Sequence, residues 1–235
     1  MVTCWDKEYK DTKLIMQGKA SMRPEFKPLA EWIDRTYDVK TINIIYDTIE
    51  PHDSPRLQIC FELEKDKKKF DGPGLFTFDE RKQKSVGIKF NEILKKEGLL
   101  EKPRVLNLFS KKQESIYKTK GIFVIFDAFE QLAKEDANES IPKTELEELI
   151  RQTQDENLWH ILNAFGMVVF FLYTDDQVKQ YNNGSKKEIW ARMYFQLLKQ
   201  YDEFDYFNEA DFSISLDSKE NFDKNYQSNW YYYLH

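Results

Sequence analysis

The chain has 235 residues, of which 41% are apolar and 32% charged, with 18 Phe and 13 Tyr against only 8 Gly and 7 Pro. Rings that each bury roughly 150–250 Å² can fill a large core, so this composition excludes a disordered or low-complexity chain. The net charge is −6, and the longest apolar run, GMVVFFLY at 166–173, is far shorter than the ~20 residues a membrane helix needs.

The N-terminal stretch MVTCWDKEYKDTKLIMQGK carries acids and lysines where a signal peptide needs an unbroken apolar segment. Cys4 and Cys60 lie far apart, and no CxxC is present. Reduced thiols and a cytoplasmic location are therefore expected.

In chain order, Pro24 opens a helix with Phe26, Leu29, Trp32, Ile33 and Tyr37 on one side. VKTINIIYDTIE at 39–50 is rich in β-branched residues. In RLQICFELE at 56–64, Leu57, Ile59, Phe61 and Leu63 alternate with polar or small positions. Together they read as a β-hairpin with one covered face. Its loop is longer than two residues, because Pro51 and Pro55 cannot join the ladder as donors. After the DGPG turn at 71–74, a helix is expected over 79–97 with Phe90, Ile93 and Leu94 inward, though Gly87 interrupts it. Within 98–120 the only strand signal is RVLNLF at 104–109.

Two strand–helix segments follow, GIFVIFDAFEQLAKE at 121–135 and GMVVFFLYTDDQVKQY at 166–181. Their apolar runs suggest central strands. Asp127 with Glu130 and Thr174 with Gln177 read as helix caps. The grammar is shared, but convergence explains it equally well, so no repeat is counted. Thr144 with Glu147 starts another helix, and Leu158, Ile161, Leu162 and Phe165 continue its stripe. Asn183-Gly184 is a turn, and Ser185 with Glu188 caps a strong helix over 186–201. FSISL at 212–216 is a short strand, and Asp217 with Glu220 caps a last turn.

The expected fold is α+β: one mixed sheet, made of the N-terminal antiparallel hairpin and two central strand–helix units, with helices packed against it. No Gly, Ser or Pro linker divides the chain, so 1–235 reads as one domain, with 1–22 a poorly packed segment.

Catalytic signatures are missing. HExxH, GxSxG, a phosphate loop and GxGxxG do not occur. His160, read on a helix beside Trp159, suits a half-buried packing role. No catalytic residue, metal ligand or cofactor is assigned. Charge is more informative. Residues 1–64 carry −3, 65–120 carry +8, 121–199 carry −5 and 200–235 carry −6. The basic segment is lysine-rich with only Arg81 and Arg104, which argues against nucleic acid and leaves polyanion binding as an alternative.

The last 36 residues mix eight acids with eleven aromatics, and the four adjacent rings at 230–233 cannot all point inward. This predicts a non-enzymatic binding or inhibitor protein of the immunity type. Asp202, Asp205, Tyr206, Glu209, Asp211, Trp230, Tyr231 and Tyr232 would meet a basic protein partner, rings anchoring and acids steering. The alternative is an enzyme or small-ligand binder. Its pocket would lie at the ends of strands 121–126 and 166–173, with Asp127, Thr174, Asp175 and Asp176 as its polar groups.

Overall fold

The computed structural model describes residues 3–74, 77–100, 117–182 and 184–234. The fold is α+β, but the expected single sheet is in fact two mixed sheets of three strands each. Contacts divide the chain into two compact units, Met1–Leu132 and Ala133–His235.

The first unit contains α1 (Lys7–Met16), α2 (Lys27–Tyr37), β1 (Thr41–Ile49), β2 (Ser54–Phe61), α3 (Glu64–Lys68), α4 (Glu80–Glu97), β3 (Phe123–Ala128) and the start of α5 (Phe129–Glu139). The hairpin forms as the alternation requires, with β1 antiparallel to β2. Strand β3 then runs parallel to β2. Leu57, Ile59 and Phe61 point from β2 into a core shared with Leu29 and Ile33 of α2, Val86, Phe90 and Leu94 of α4, and Val124 and Phe126 of β3. The expected helices over 24–37 and 79–97 are both present. Gly87, costly in mid-helix, has a packing reason. A Cβ there would sit 3.3 Å from Cγ2 of Ile122, so the glycine lets α4 approach the entry to β3. The segment 1–22, expected to pack poorly, includes α1, which buries Tyr9 and Thr12. The expected strand at 104–109 lies outside the described residues.

The second unit contains α6 (Lys143–Thr153), β4 (Leu158–Ala164), β5 (Met167–Leu172), α7 (Asp175–Asn182), α8 (Lys186–Leu198), β6 (Ser215–Ser218), α9 (Lys219–Tyr226) and α10 (Trp230–Leu234). Here β4 is antiparallel to β5, and β6 is parallel to β5. Residues 158–165 were expected to prolong a helix, and they are a strand instead. Leu158, Ile161 and Phe165 have helical spacing, but Phe165 and Gly166 both take positive φ, 50° and 71°. That pair makes the two-residue hairpin turn between Ala164 and Met167. His160 therefore sits on β4 and not on a helix. Strand β5 is central, as its unbroken apolar run suggested, whereas β3 is the edge of its own sheet. Its burial accordingly alternates.

The repeat that does exist joins other segments. Each unit reads helix, antiparallel hairpin, two helices, strand parallel to the second hairpin strand, helix. Thus β2 corresponds to β5, α3 to α7, α4 to α8 and β3 to β6. The match extends to single hydrogen bonds. The Glu130 carboxylate accepts from the N–H of Glu64 at 3.0 Å, and the Glu130 N–H donates to the carbonyl of Glu62 at 3.0 Å. In the second unit the Glu220 carboxylate accepts from the N–H of Asp175 at 3.1 Å, and the Glu220 N–H donates to the carbonyl of Tyr173 at 3.2 Å.

Candidate functional site

The C-terminal segment is built around Lys199, at the end of α8. Its ammonium pairs with Asp202 at 2.7 Å and also with Asp205. Asp202 in addition accepts the N–H groups of Tyr206 and Phe207, each at 3.0 Å, and so closes the turn after α8. Its side chain is only 3% exposed, whereas that of Asp205 is 88% exposed. Asp202 is thus a structural anchor. Asp205, held at φ 58°, presents its charge to water. Both acids hold the Lys199 ammonium above its usual pKa, the Asp202 hydrogen bond first. Tyr206 stacks on Phe204 with centroids 5.9 Å apart. Glu209 and Asp211 belong to a short 3-10 turn capped by Asn208, and both are exposed.

The rings divide into two sets. Phe207 and Phe212 pack on the core of α6, α8, β4 and β5. On the other face of the sheet, Phe222 and Trp230 stack at 4.1 Å, and Trp230 also meets Phe171 at 5.3 Å. Tyr233 donates to Asp217 at 2.7 Å. Between the inward rings Trp230 and Tyr233, the next two positions of α10 face water: Tyr231 is 64% exposed and Tyr232 51%. The acid-and-ring prediction therefore splits. Asp205, Glu209, Asp211, Tyr231 and Tyr232 lie on the surface, while Asp202 and Trp230 serve the fold.

The alternative pocket residues have local roles of their own. Thr174 and Gln177 form the predicted capping box. Gln177 N–H donates to the Thr174 hydroxyl at 3.3 Å, and Thr174 N–H donates to the Gln177 amide at 3.0 Å. Asp175 accepts from the Ser218 hydroxyl. Asp176 pairs with Lys179 at 2.9 Å on the helix surface. These three belong to the second unit. Asp127 belongs to the first, where it is paired opposite Cys60 in the β2–β3 ladder. It is no helix cap: it lies within β3, and Glu130 turns back to α3.

Burial suppresses the chemistry of Cys60 and of His160. Burial, reinforced by Asp127, pushes the Cys60 thiol well above its usual pKa, so it is not poised as a nucleophile. Burial, reinforced by Lys143, lowers the His160 pKa and favours the neutral ring. That ring lies 5.2 Å from Trp230. Cys4 and Cys60 are both buried, and no disulfide joins them. Among the described residues no helix is long and apolar enough to cross a membrane.

Sequence reasoning missed the Lys199 knot: Asp202 stands at i+3 but beyond the end of α8, and Asp205, six residues on, has no regular helical relation to the lysine. It also missed the role of Glu130 and Glu220. Their shared signal, apolar–Asp–small–x–Glu, stands in FDAFE at 126–130 and LDSKE at 216–220. No family model, curated protein or solved structure matches the chain.

Proposed function

We propose that the chain is a non-enzymatic binding protein of the inhibitor or immunity type, acting in the cytoplasm. Its second unit would take a basic protein partner on an acidic, ring-bearing surface. The reading is carried by Tyr231 and Tyr232, two adjacent large rings left in water at the end of the more acidic unit. Residues 133–235 hold 10 basic and 19 acidic residues, a net of −9, against +3 for residues 1–132. Exposed tyrosines anchor interfaces at small entropic cost, and surrounding carboxylates steer a cationic partner. Glu209 and Asp211 are exposed and available for steering, and Asp205, exposed as well, would have to share its carboxylate with Lys199. Buried thiols not joined in a disulfide suit a reducing compartment.

The test is affinity capture from the native host with three baits: wild type, Asp205→Lys/Glu209→Lys/Asp211→Lys, and Tyr231→Ala/Tyr232→Ala. A basic protein held by wild type should be lost from both variants. Identical capture by all three removes the reading.

A further inference from the structure

Each unit carries a groove at the same place, between the long helix after the hairpin and the chain entering the edge strand. In the first unit, α4 and the entry to β3 enclose about 630 Å³. In the second, α8 and the entry to β6 enclose about 420 Å³. The helix walls share the spacing i, i+1, i+4, i+5, i+8, from Gln83 to Asn91 and from Lys187 to Phe195, and Glu80 extends the first by one more turn. The facing wall is the continuous run Thr119–Val124 in the first unit and Glu209 with Phe212–Ile214 in the second. Gly87 falls on Ala191, a small residue in both helices. A groove that survives at corresponding positions while its side chains diverge is a feature of the unit and not an accident of one surface.

The first groove has the features of a strand-acceptor site. β3 is a terminal strand of its sheet, so its outer edge has no strand partner among the described residues. The Val124 carbonyl accepts from the Gln83 amide at 2.5 Å, where a neighbouring strand would supply an N–H. Ile88 and Phe123 stand about half exposed at the groove, apolar surface that an occupant would cover. Lys84 on the helix wall and Lys120 on the facing wall are both exposed and have no ion-pair partner among the described residues; with one acid, Glu80, at the end of the helix wall, the charged lining is net positive. Thr119 donates to Asn91 at 2.7 Å and joins the two walls.

From this geometry we infer that the α4–β3 groove binds an extended peptide whose apolar residues alternate with carboxylates. Main-chain hydrogen bonds along the edge of β3 supply affinity, as in other strand-addition sites. Apolar side chains of the peptide cover Ile88 and Phe123, and its carboxylates meet Lys84 and Lys120. This site is independent of the acidic surface of the second unit and takes a partner of the opposite charge.

The test uses the full ¹⁵N-labelled chain and two end-blocked heptapeptides, Val-Glu-Val-Glu-Val-Glu-Val and its lysine counterpart. The glutamate peptide should give saturable amide shifts at Gly87, Ile88 and Gly121–Val124. The lysine peptide should bind about tenfold more weakly, because its charges oppose those of the groove. Lys84→Glu/Lys120→Glu should reverse that preference. Ile88→Asp should abolish binding of the glutamate peptide while the remaining amide spectrum stays folded. No shift with either peptide, an equal response to both, or shifts that map elsewhere would overturn the proposal. Shifts along β3 that grow with protein concentration in the absence of peptide would overturn it in favour of pairing between two copies.

Discussion

Asp127 and Asp217 hold the same position in two different sheets. Each stands in the parallel ladder opposite the penultimate residue of the central strand, Cys60 for Asp127 and Phe171 for Asp217. Their surroundings have diverged. Asp217 is well satisfied: it accepts from the Tyr233 hydroxyl at 2.7 Å, the Asn221 amide at 2.8 Å and the Ser218 N–H at 2.7 Å. The Asp127 carboxyl has a side-chain hydrogen bond with Gln58 on β2, but its buried Oδ2 has no partner among the described residues, nor does Oε1 of Gln58. A buried acceptor without a donor costs about 1–3 kcal/mol.

That difference gives Asp127 a pH signature. Burial raises its carboxyl above the ordinary range, and the opposing pull of Lys67, Arg56 and the Gln58 hydrogen bond does not cancel it. Because the folded state holds the proton more tightly than the unfolded chain, this contribution is complete below the ordinary carboxylate pKa of about 4. It is lost as pH rises through the raised folded pKa. Urea unfolding from pH 4 to pH 7 should therefore show wild type losing stability relative to Asp127→Asn, which keeps a neutral side chain of the same shape. A stability difference that does not vary with pH would contradict this assignment.

Glu130 and Glu220 make the second prediction. Each carboxylate caps the first N–H of the helix that follows a central strand, α3 or α7, from a distant point in the chain. Removing a side-chain cap costs typically about 1 kcal/mol. Glu130→Ala and Glu220→Ala should each lower the urea midpoint by that amount, and the amides of Glu64 and Asp175 should exchange faster in the respective variant. The two caps share no hydrogen-bond partner, so the double variant should be additive within about 0.5 kcal/mol.

These glutamates also show what the sequence could and could not say. Period-two alternation in 56–64 and helical spacing in 24–37 and 186–201 are local signals, and the elements they announce are present, the last ending at Leu198. The spacing of Asp127 with Glu130 and Asp217 with Glu220 was visible as well, but a cap is ordinarily a contact within three residues. Here the glutamate reaches a helix 66 positions away in one unit and 45 in the other. The Phe165-Gly166 turn failed for a different reason. An aromatic residue at positive φ is not a turn signal, so Leu158–Ala164 kept its helical reading. The strand register that separates one sheet into two is set by pairing alone and leaves no periodic trace. At the C-terminus the density of acids and rings was plain. Which of them the fold would use depended on Lys199 and Phe222, one preceding the segment and the other buried within it.

The last prediction separates those roles using neighbouring residues of α10. Trp230 stacks on Phe222, packs against Phe171 and lies parallel to Trp159 at 6.1 Å, whereas Tyr231 touches water over most of its surface. Deleting a large core ring costs about 3–5 kcal/mol when it is fully enclosed. Trp230 is half-buried, so Trp230→Ala should cost somewhat less, roughly 2–4 kcal/mol. Tyr231→Ala should stay within about 0.5 kcal/mol of wild type, as surface substitutions do. Urea unfolding monitored by far-UV circular dichroism resolves that contrast. If Tyr231→Ala destabilises the chain as much as Trp230→Ala, then the outward face of α10 is part of the fold, and the rings proposed to anchor a partner are already engaged.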